Sequence, residues 1–517
     1  MAETGARKWI IVGTVVLSAV IELIDVTIVN VSLPQMMGNL GATLDEIAWV
    51  VTSYVFANVI VLPMSAWLSA VLGRRNYFVG SIVLFTVSSF FCGSAHGIFE
   101  LVLFRFLQGA GGGGLMSTAQ SILVETFPPE ELAMATGLFG LGVVVGPTIG
   151  PTLGGWITDN YSWPWIFYVN LPIGALATIL TLMFIRDSPQ QQGVGAIDWQ
   201  GILLLIAGIG SLQVVLDRGE RDDWFSAPYI TVLTIFAAIG IVAFVWWELR
   251  AEHPVVDLHV LKDRTVAVGT IFTFFHGFGL ASSQFIFPVF IQHLLGFSPL
   301  QSGLVMFPSA LTAGALMPMV AQLVRRGVPP QPIIVVGFLT FFGFTWGLSQ
   351  SSLASGQWDF FWPLILRGFG MSLLFVPVTT LLLTGLSPRD THQVTGLTNM
   401  TRQLGSSFGV ALTATFVQYR TWAHRQDLLR YVTPFDSPLR LRLRLLVQGF
   451  MSHGSSLPEA QRQAYAAIDG IVTRQAFLLT YMDAFRLIGV IMLCCMPLLV
   501  LFKRRRGPAA VALPAVH

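Results

Sequence analysis

The feature that most constrains this chain is a succession of apolar windows, each long enough to cross a bilayer. They fall at 9–32, 46–70, 76–95, 98–122, 131–157, 164–185, 199–216, 228–248, 265–292, 299–324, 331–349, 358–386, 391–420 and 476–502. A helix needs about 20 apolar residues to span the hydrocarbon. The pattern therefore predicts an all-α polytopic membrane protein with fourteen transmembrane helices. Composition agrees: 54% of the 517 residues are hydrophobic and 11% charged, where ordinary soluble domains carry about 25% charge. The basic residues sit between the apolar runs, so the net charge of +2 does not point to nucleic acid. Cys92, Cys494 and Cys495 lie inside apolar runs without metal or disulfide spacing and read as small apolar residues. The first run is too long for a signal-peptide core and has no small-residue cleavage site, so it reads as a retained span.

An even number of spans places both termini on one side. Arg7, Lys8, Arg74, Arg75, Arg186, Arg250, Lys262, Arg264, Arg325, Arg326, Arg389 and the basic run 503–506 then flank one face. Short loops on the other face hold little beyond Arg218 and Arg221. Basic loops stay inside, so the termini are expected in the cytoplasm. The outer segment 421–475, with LRLRLRLL at 439–446, runs against that rule. Long loops are largely exempt from it. Its alternating basic and aliphatic residues and the helix-like stretch 458–477 suit either a partner or an amphipathic hairpin lying on headgroups.

The halves repeat. PPEELAMATGL (128–138) aligns with SPRDTHQVTGL (387–397) at an offset of 259 residues, which also carries Gly146 onto Gly405 and Gly150 onto Gly409. A shift of 262 places Arg105 on Arg367, and VLGRR (71–75) has a looser counterpart in QLVRRG (322–327). The repeat predicts a six-helix bundle over 1–190, a linker with two spans over 191–262, and spans nine to thirteen over 263–420. The outer loop 421–475 and the last span with its tail, 476–517, complete the chain. Parallel six-helix repeats about an axis along the membrane normal are the construction of a rocking transporter, with its site at the repeat interface.

Glu22 and Asp25 lie inside the first span, three residues apart and so on one helical face. A carboxylate at that depth costs about 2.5–3.5 kcal/mol by insertion scales, which makes a proton or substrate site the default reading. A wet outer vestibule is the plainer alternative. Asp25 lies about seven residues below the outer end of its span, and Arg105 about seven below the start of the fourth, so at 1.5 Å per residue both sit about 10 Å deep. An acid and an arginine at one depth are expected to pair, either as a switch loosened by protonation or as a fixed ion pair.

In the fifth span, Gly142, Gly146, Gly150 and Gly154 recur every fourth residue beside Pro147 and Pro151. Such a stripe admits a second helix closely, and the prolines permit bending as the halves rock. The remaining polar residues at depth are Tyr54, Asn58, Gln108, His276, Gln284, Asn399, Arg402 and Gln403, read as candidates to line a cavity. His276 among phenylalanines reads more readily as packing than as a proton carrier. Arg402, always charged, suits an anionic ligand or a partner carboxylate.

RFLQGAGGGG (105–114) lacks the Gly-Lys-Ser/Thr of a phosphate loop. HExxH and paired CxxC motifs are missing from the sequence too, so an enzyme is not indicated. No cofactor is expected beyond the proton motive force.

LIDVTIVNVSLP (23–34), FRFLQGAGGG (104–113) and GPTIGPTLGG (146–155) resemble the signature motifs of the major facilitator superfamily, and best its fourteen-span drug:proton antiporter branch. LQVVLDRGERDDWFS (212–226) and HPVVDLHVLKDR (253–264) resemble the inner-membrane subunits of tripartite pumps. The resemblance implies proton-driven export of hydrophobic, often weakly acidic toxic compounds across a bacterial inner membrane. It also implies a periplasmic membrane-fusion adaptor (EmrA-like) and an outer-membrane channel (TolC-like). It assigns the essential first-span acid to Asp25, the fourth-span arginine to Arg105, and the antiporter motif to Gly146, Gly150, Pro151, Gly154 and Gly155. In the loop motif AWLSAVLGRR (66–75), Gly73, Arg74 and Arg75 match, but Ala70 replaces the usual aspartate. That replacement puts the charge lock attributed to the aspartate in doubt. Two other readings remain on the residues alone: a proton-coupled uptake symporter, and a membrane scaffold or sensor without transport.

Overall fold

The computed structural model describes residues 6–186, 198–252, 254–384, 386, 388–433, 435 and 437–502. The basic run 503–506, His253 and Ser387 lie outside the described residues. The described residues hold eighteen α-helices and no strand. In chain order the first eight are α1 (Ala6–Leu40), α2 (Leu44–Leu72), α3 (Arg74–Gly93), α4 (Ile98–Gly113), α5 (Leu115–Thr126), α6 (Pro129–Asn160), α7 (Trp165–Tyr168) and α8 (Asn170–Phe184). Next come α9 (Trp199–Leu205), α10 (Ser211–Arg218) and α11 (Pro228–Glu248). The last seven are α12 (Arg264–Val289), α13 (Pro299–Arg325), α14 (Pro330–Leu348), α15 (Phe361–Leu383), α16 (Pro388–Leu429), α17 (Ser437–Ser452) and α18 (Leu457–Cys494).

Short polar links start the helices. Thr43 and Glu46 form a capping box on α2, Ser298 and Gln301 form another on α13, and Asp263 caps α12. These contacts satisfy the orphan N–H groups that each helix start exposes.

Twelve helical stretches among the described residues are long and apolar enough to cross a membrane. Two of the expected windows fall short when taken singly. Window 98–122 is divided at Gly114 into α4 and α5, which run on end to end. Window 391–420 lies in α16, which is long enough but carries Asn399, Arg402 and Gln403 at depth. The outer faces suit lipid: on α11, Ile239 and Val242 are 65% and 71% exposed. A water-soluble surface would not keep such a continuous apolar band.

The segment 421–475, read from sequence as an outer loop, is helical. α16 runs 42 residues and α18 runs 38, about 63 and 57 Å at 1.5 Å per residue. Both exceed the roughly 30 Å hydrocarbon core, so they continue beyond it as a paired stalk, with α17 packed on α18. Arg425 and Asp469 bridge the stalk at 2.6 Å, and Asp483 accepts from Arg420 and His424 at 2.9 Å each.

Buried apolar residues cluster in separate groups. One joins α12, α14, α15 and α18 around Phe338, Phe341, Phe344 and Phe485. Two others lie mainly among α1 to α8. A fourth packs Ile202, Leu205, Ile209 and Phe244 of α9 to α11 against Val59 and Ile60 of α2 and Leu397 and Met400 of α16.

Candidate functional site

The deepest polar centre lies among α1, α3, α4 and α8. Asp25 is fully buried and its carboxylate accepts three hydrogen bonds. Arg105 Nη1 donates to Oδ2 at 2.5 Å, while Gln108 Nε2 and Asn170 Nδ2 donate to Oδ1 at 2.9 and 2.8 Å. Arg105, 1% exposed, also donates to the Val50 carbonyl at 3.0 Å and to Gln108 Oε1 at 2.7 Å. The Tyr54 ring lies 4.2 Å from its guanidinium carbon. Ser89 closes the shell, accepting from Gln108 and Asn170 and donating to the Phe167 carbonyl. Each charge is therefore met by its opposite and by further donors, the condition under which a buried pair is tolerated.

The glycines of α6 explain how α1 is held. A Cβ on Gly142, Gly146 or Gly154 would stand within 3.0 Å of Val20, Leu23 or Ile28, and one on Gly150 would collide with Thr27. The stripe thus presses on the helix that carries Glu22 and Asp25. Gly155 faces away from that contact: its nearest neighbour would be Val31 at 3.9 Å, an ordinary separation. Pro147 and Pro151 lie within the same helix. In the other half, Gly405 and Gly409 of α16 press in the same way on Phe274 and Phe278 of α12.

Glu22 stands one turn from Asp25 in a different environment. Asn58 Nδ2 donates to its Oε1 at 2.9 Å, and among the described residues its Oε2 meets no donor in hydrogen-bonding geometry. Arg402 of α16 stands across the seam near Glu22, and among the described residues the two form no ion pair. A narrow cleft opens beside Arg402, lined on its polar side by Gln120, Thr273, His276, Thr398 and Asn399. Its apolar wall is Leu374, Phe375, Val378, Leu382 and Leu383 of α15. The halves meet here, with Asn399 Nδ2 donating to Gln120 Oε1 at 3.0 Å and Ser121 hydrogen-bonded to Thr395 at 3.0 Å.

Of the polar residues expected to line a cavity, His276, Asn399 and Arg402 line this cleft. Gln108 and Gln284 are turned into arginine clusters instead. Tyr54 covers Arg105, Asn58 holds Glu22, and Gln403 is half-buried on α16. His276 leans on Phe375, yet among the described residues its Nε2 has no partner, unlike a satisfied packing histidine. Sequence reasoning missed Asn170, Ser89 and Gln120. At the loop motif, Gly73 takes φ +83° at the α2–α3 junction, which favours glycine. Arg74 pairs with Glu125 of α5 and donates to the Arg186 carbonyl, and Arg75 donates to the Leu182 carbonyl. Ala70 is exposed.

The Major Facilitator Superfamily family model matches residues 15–410. The chain is 31% identical to the multidrug export protein EmrB of Escherichia coli K12, over 93% of this chain and 92% of that protein. It is 30% identical to the fatty acid resistance protein FarB of Neisseria gonorrhoeae, over 94% of each. Among solved structures, the proton:xylose symporter XylE superposes with a TM-score of 0.60 at 12% identity, covering 94% of this chain and 95% of XylE. That likeness concerns the fold alone.

Proposed function

This chain belongs to the Major Facilitator Superfamily, a family of membrane transporters, and from that premise we propose that it is a proton-driven exporter of hydrophobic toxic compounds. Its relatives include proteins named for multidrug export and for fatty acid resistance. The observation that carries the coupling is the sealed Asp25–Arg105 pair on the helix against which the α6 glycine stripe packs.

A proton arriving on Asp25 removes the counter-charge of an arginine that is 1% exposed. Leaving a buried charge unpaired costs about 3–5 kcal/mol. The protonated state is thereby driven to rearrange, and the smooth α1–α6 contact is where one helix slides on another with least obstruction. One proton crossing 100 mV yields about 2.3 kcal/mol, and each pH unit adds about 1.4 kcal/mol. One proton per cycle would thus support a substrate gradient of about two orders of magnitude, without ATP.

In this reading fourteen spans cross the bacterial inner membrane with both termini cytoplasmic. Residues 1–190 and the spans from 263 onward form the two rocking bundles, and 191–262 supply a linker pair. The extended α16–α18 stalk would then project into the periplasm, where an EmrA-like adaptor and a TolC-like channel would complete the export path.

The test is substrate-dependent proton flux in proteoliposomes, comparing the native chain with Asp25→Asn. Coupled flux that vanishes in the variant while substrate binding persists within about threefold is the expected result. Undiminished coupled flux in Asp25→Asn would remove Asp25 from the coupling role and transfer it to Glu22.

A further inference from the structure

Tyr54 adjoins both acid sites of α1, and the ion pair beneath its ring does not account for its hydroxyl. It lies on α2, 1% exposed, with its ring centroid 4.2 Å from the Arg105 guanidinium carbon. Its other end reaches toward Glu22. A Cβ on Gly112 of α4 would lie 2.6 Å from Tyr54 Oη and 3.2 Å from Asn58 Nδ2, so both groups crowd one point. Asn58, one turn further along α2, is the donor to Glu22 Oε1. The glycines that follow Arg105 permit this approach. A Cβ on Gly109 would collide with the Tyr54 carbonyl, and one on Gly113 would stand 2.7 Å from the Asn58 carbonyl oxygen. The glycine run that is no phosphate loop thus seats α2 on α4 and brings one tyrosine to both acid sites.

Two buried polar atoms here are complementary and unjoined. Among the described residues Tyr54 Oη and Glu22 Oε2 make no hydrogen bond. The first can donate, and the second accepts. Buried polar atoms left unpaired are uncommon, and each calls for a function or a second arrangement. The other groups about Glu22 do not serve that oxygen. Asn58 is committed to Oε1, and Asp25 adds a like charge. Tyr77, the Met116 amide and Arg402 surround Glu22, yet none meets Oε2 in hydrogen-bonding geometry.

We propose that Tyr54 is the positioning residue that joins the two acids of α1 into one switch, holding Arg105 by its ring and donating to the Glu22 carboxyl from its hydroxyl. A proton on Asp25 removes the ion pair of Arg105 but leaves the guanidinium the π face of the ring. The hydroxyl and Oε2 both lie beside Asn58, so a side-chain rotation closes the gap between them. The state of the sealed pair is then felt, through one side chain, at the acid that faces Arg402 and the seam between the halves. The inference rests on the proton-coupled export reading for its role in transport, whereas the contact itself is tested without transport.

The first measurement is the infrared difference spectrum of the purified full-length protein between alkaline and acid pH. The carboxyl stretch of protonated Glu22 is the band missing from Glu22→Gln. A donor to a carboxyl oxygen lowers that stretch, so Tyr54→Phe should move the band to higher wavenumber while melting with the native protein. A Glu22 band left in place by Tyr54→Phe, or no Glu22 band at all, would overturn the contact. The second measurement is substrate-dependent proton flux in proteoliposomes. Tyr54→Phe, which loses one hydrogen bond, should slow it about fivefold. Tyr54→Leu, which also strips the ring from Arg105, should be about tenfold slower again. A moved band with flux unchanged in Tyr54→Phe, or equal flux in the Phe and Leu variants, would overturn the joining role. Absence of coupled flux in the native chain would end the export reading, and the infrared result would still decide the contact.

Discussion

The two halves each bury an arginine, and they house it differently. Arg105 and Arg367 are both 1% exposed. Arg105 faces a carboxylate, whereas Arg367 donates to Ser283 Oγ, Ser309 Oγ and Gln284 Oε1 at 3.0, 3.1 and 3.2 Å. Gln284 stands 259 residues after Asp25, the offset of the internal repeat. This fold can therefore hold a buried guanidinium with neutral acceptors alone. An acid is therefore more than this fold needs to house a buried arginine, in keeping with the coupling role proposed for Asp25. An amide in the same role cannot take up or release a proton at ordinary pH, so under the proposed coupling only the half with Asp25 would switch.

The largest effect should come from removing the arginines one at a time. Arg105→Met leaves Asp25 buried without its cation and should cost about 3–5 kcal/mol. Arg367→Met strands only neutral groups and should cost about 1–3 kcal/mol. Thermal unfolding of the purified variants reads the difference, and equal losses would mean that the acid adds nothing to the first cluster. Next in size is a matched pair on α6. A Cβ at Gly154 would sit 2.8 Å from the Ile28 carbonyl oxygen, while one at Gly155 meets only Val31 at 3.9 Å. Gly154→Ala should cost about 1–3 kcal/mol by overpacking and slow export about tenfold, and Gly155→Ala should leave vesicle transport within twofold. Indistinguishable variants would show that the stripe is not a moving contact. The smallest effect is expected from Gln284→Asp, which replaces a neutral acceptor by a charged one opposite Arg367. A charged partner strengthens a hydrogen bond by about 1 kcal/mol, so melting should shift little. Added to Asp25→Asn, it should not restore proton flux. Restored flux would mean that coupling needs only an acid against an arginine, in either half.

How legible these features were depended on the residue. The Asp25–Arg105 meeting followed from depth, because rise per residue is fixed and both positions lie equally far from one end of their spans. Gln108 was legible but misread as a cavity residue. It sits three residues after Arg105, so a helix turns both side chains to one face and toward one partner. Asn170 and Ser89 lie about six residues from the outer ends of windows 164–185 and 76–95, so the depth rule covers them too, but small neutral side chains carry no burial cost that singles them out. The helical stalk was hidden for another reason. Apolarity ends near residue 420, but α16 continues to Leu429, because arginine, glutamine, leucine and alanine sustain a helix as well as apolar residues do.

By itself the sequence determined the membrane class and the presence of an acid and an arginine at one depth, and its internal repeat led to the expectation of two matched halves. Period, length and burial cost act along a single helix and need no knowledge of its neighbours. Only the tertiary structure decided which polar residues share a centre. Gln284 went to Arg367, Asn58 to Glu22, and Arg402 to a cleft where no described residue pairs with it, because each outcome depends on which face of a neighbouring helix arrives opposite.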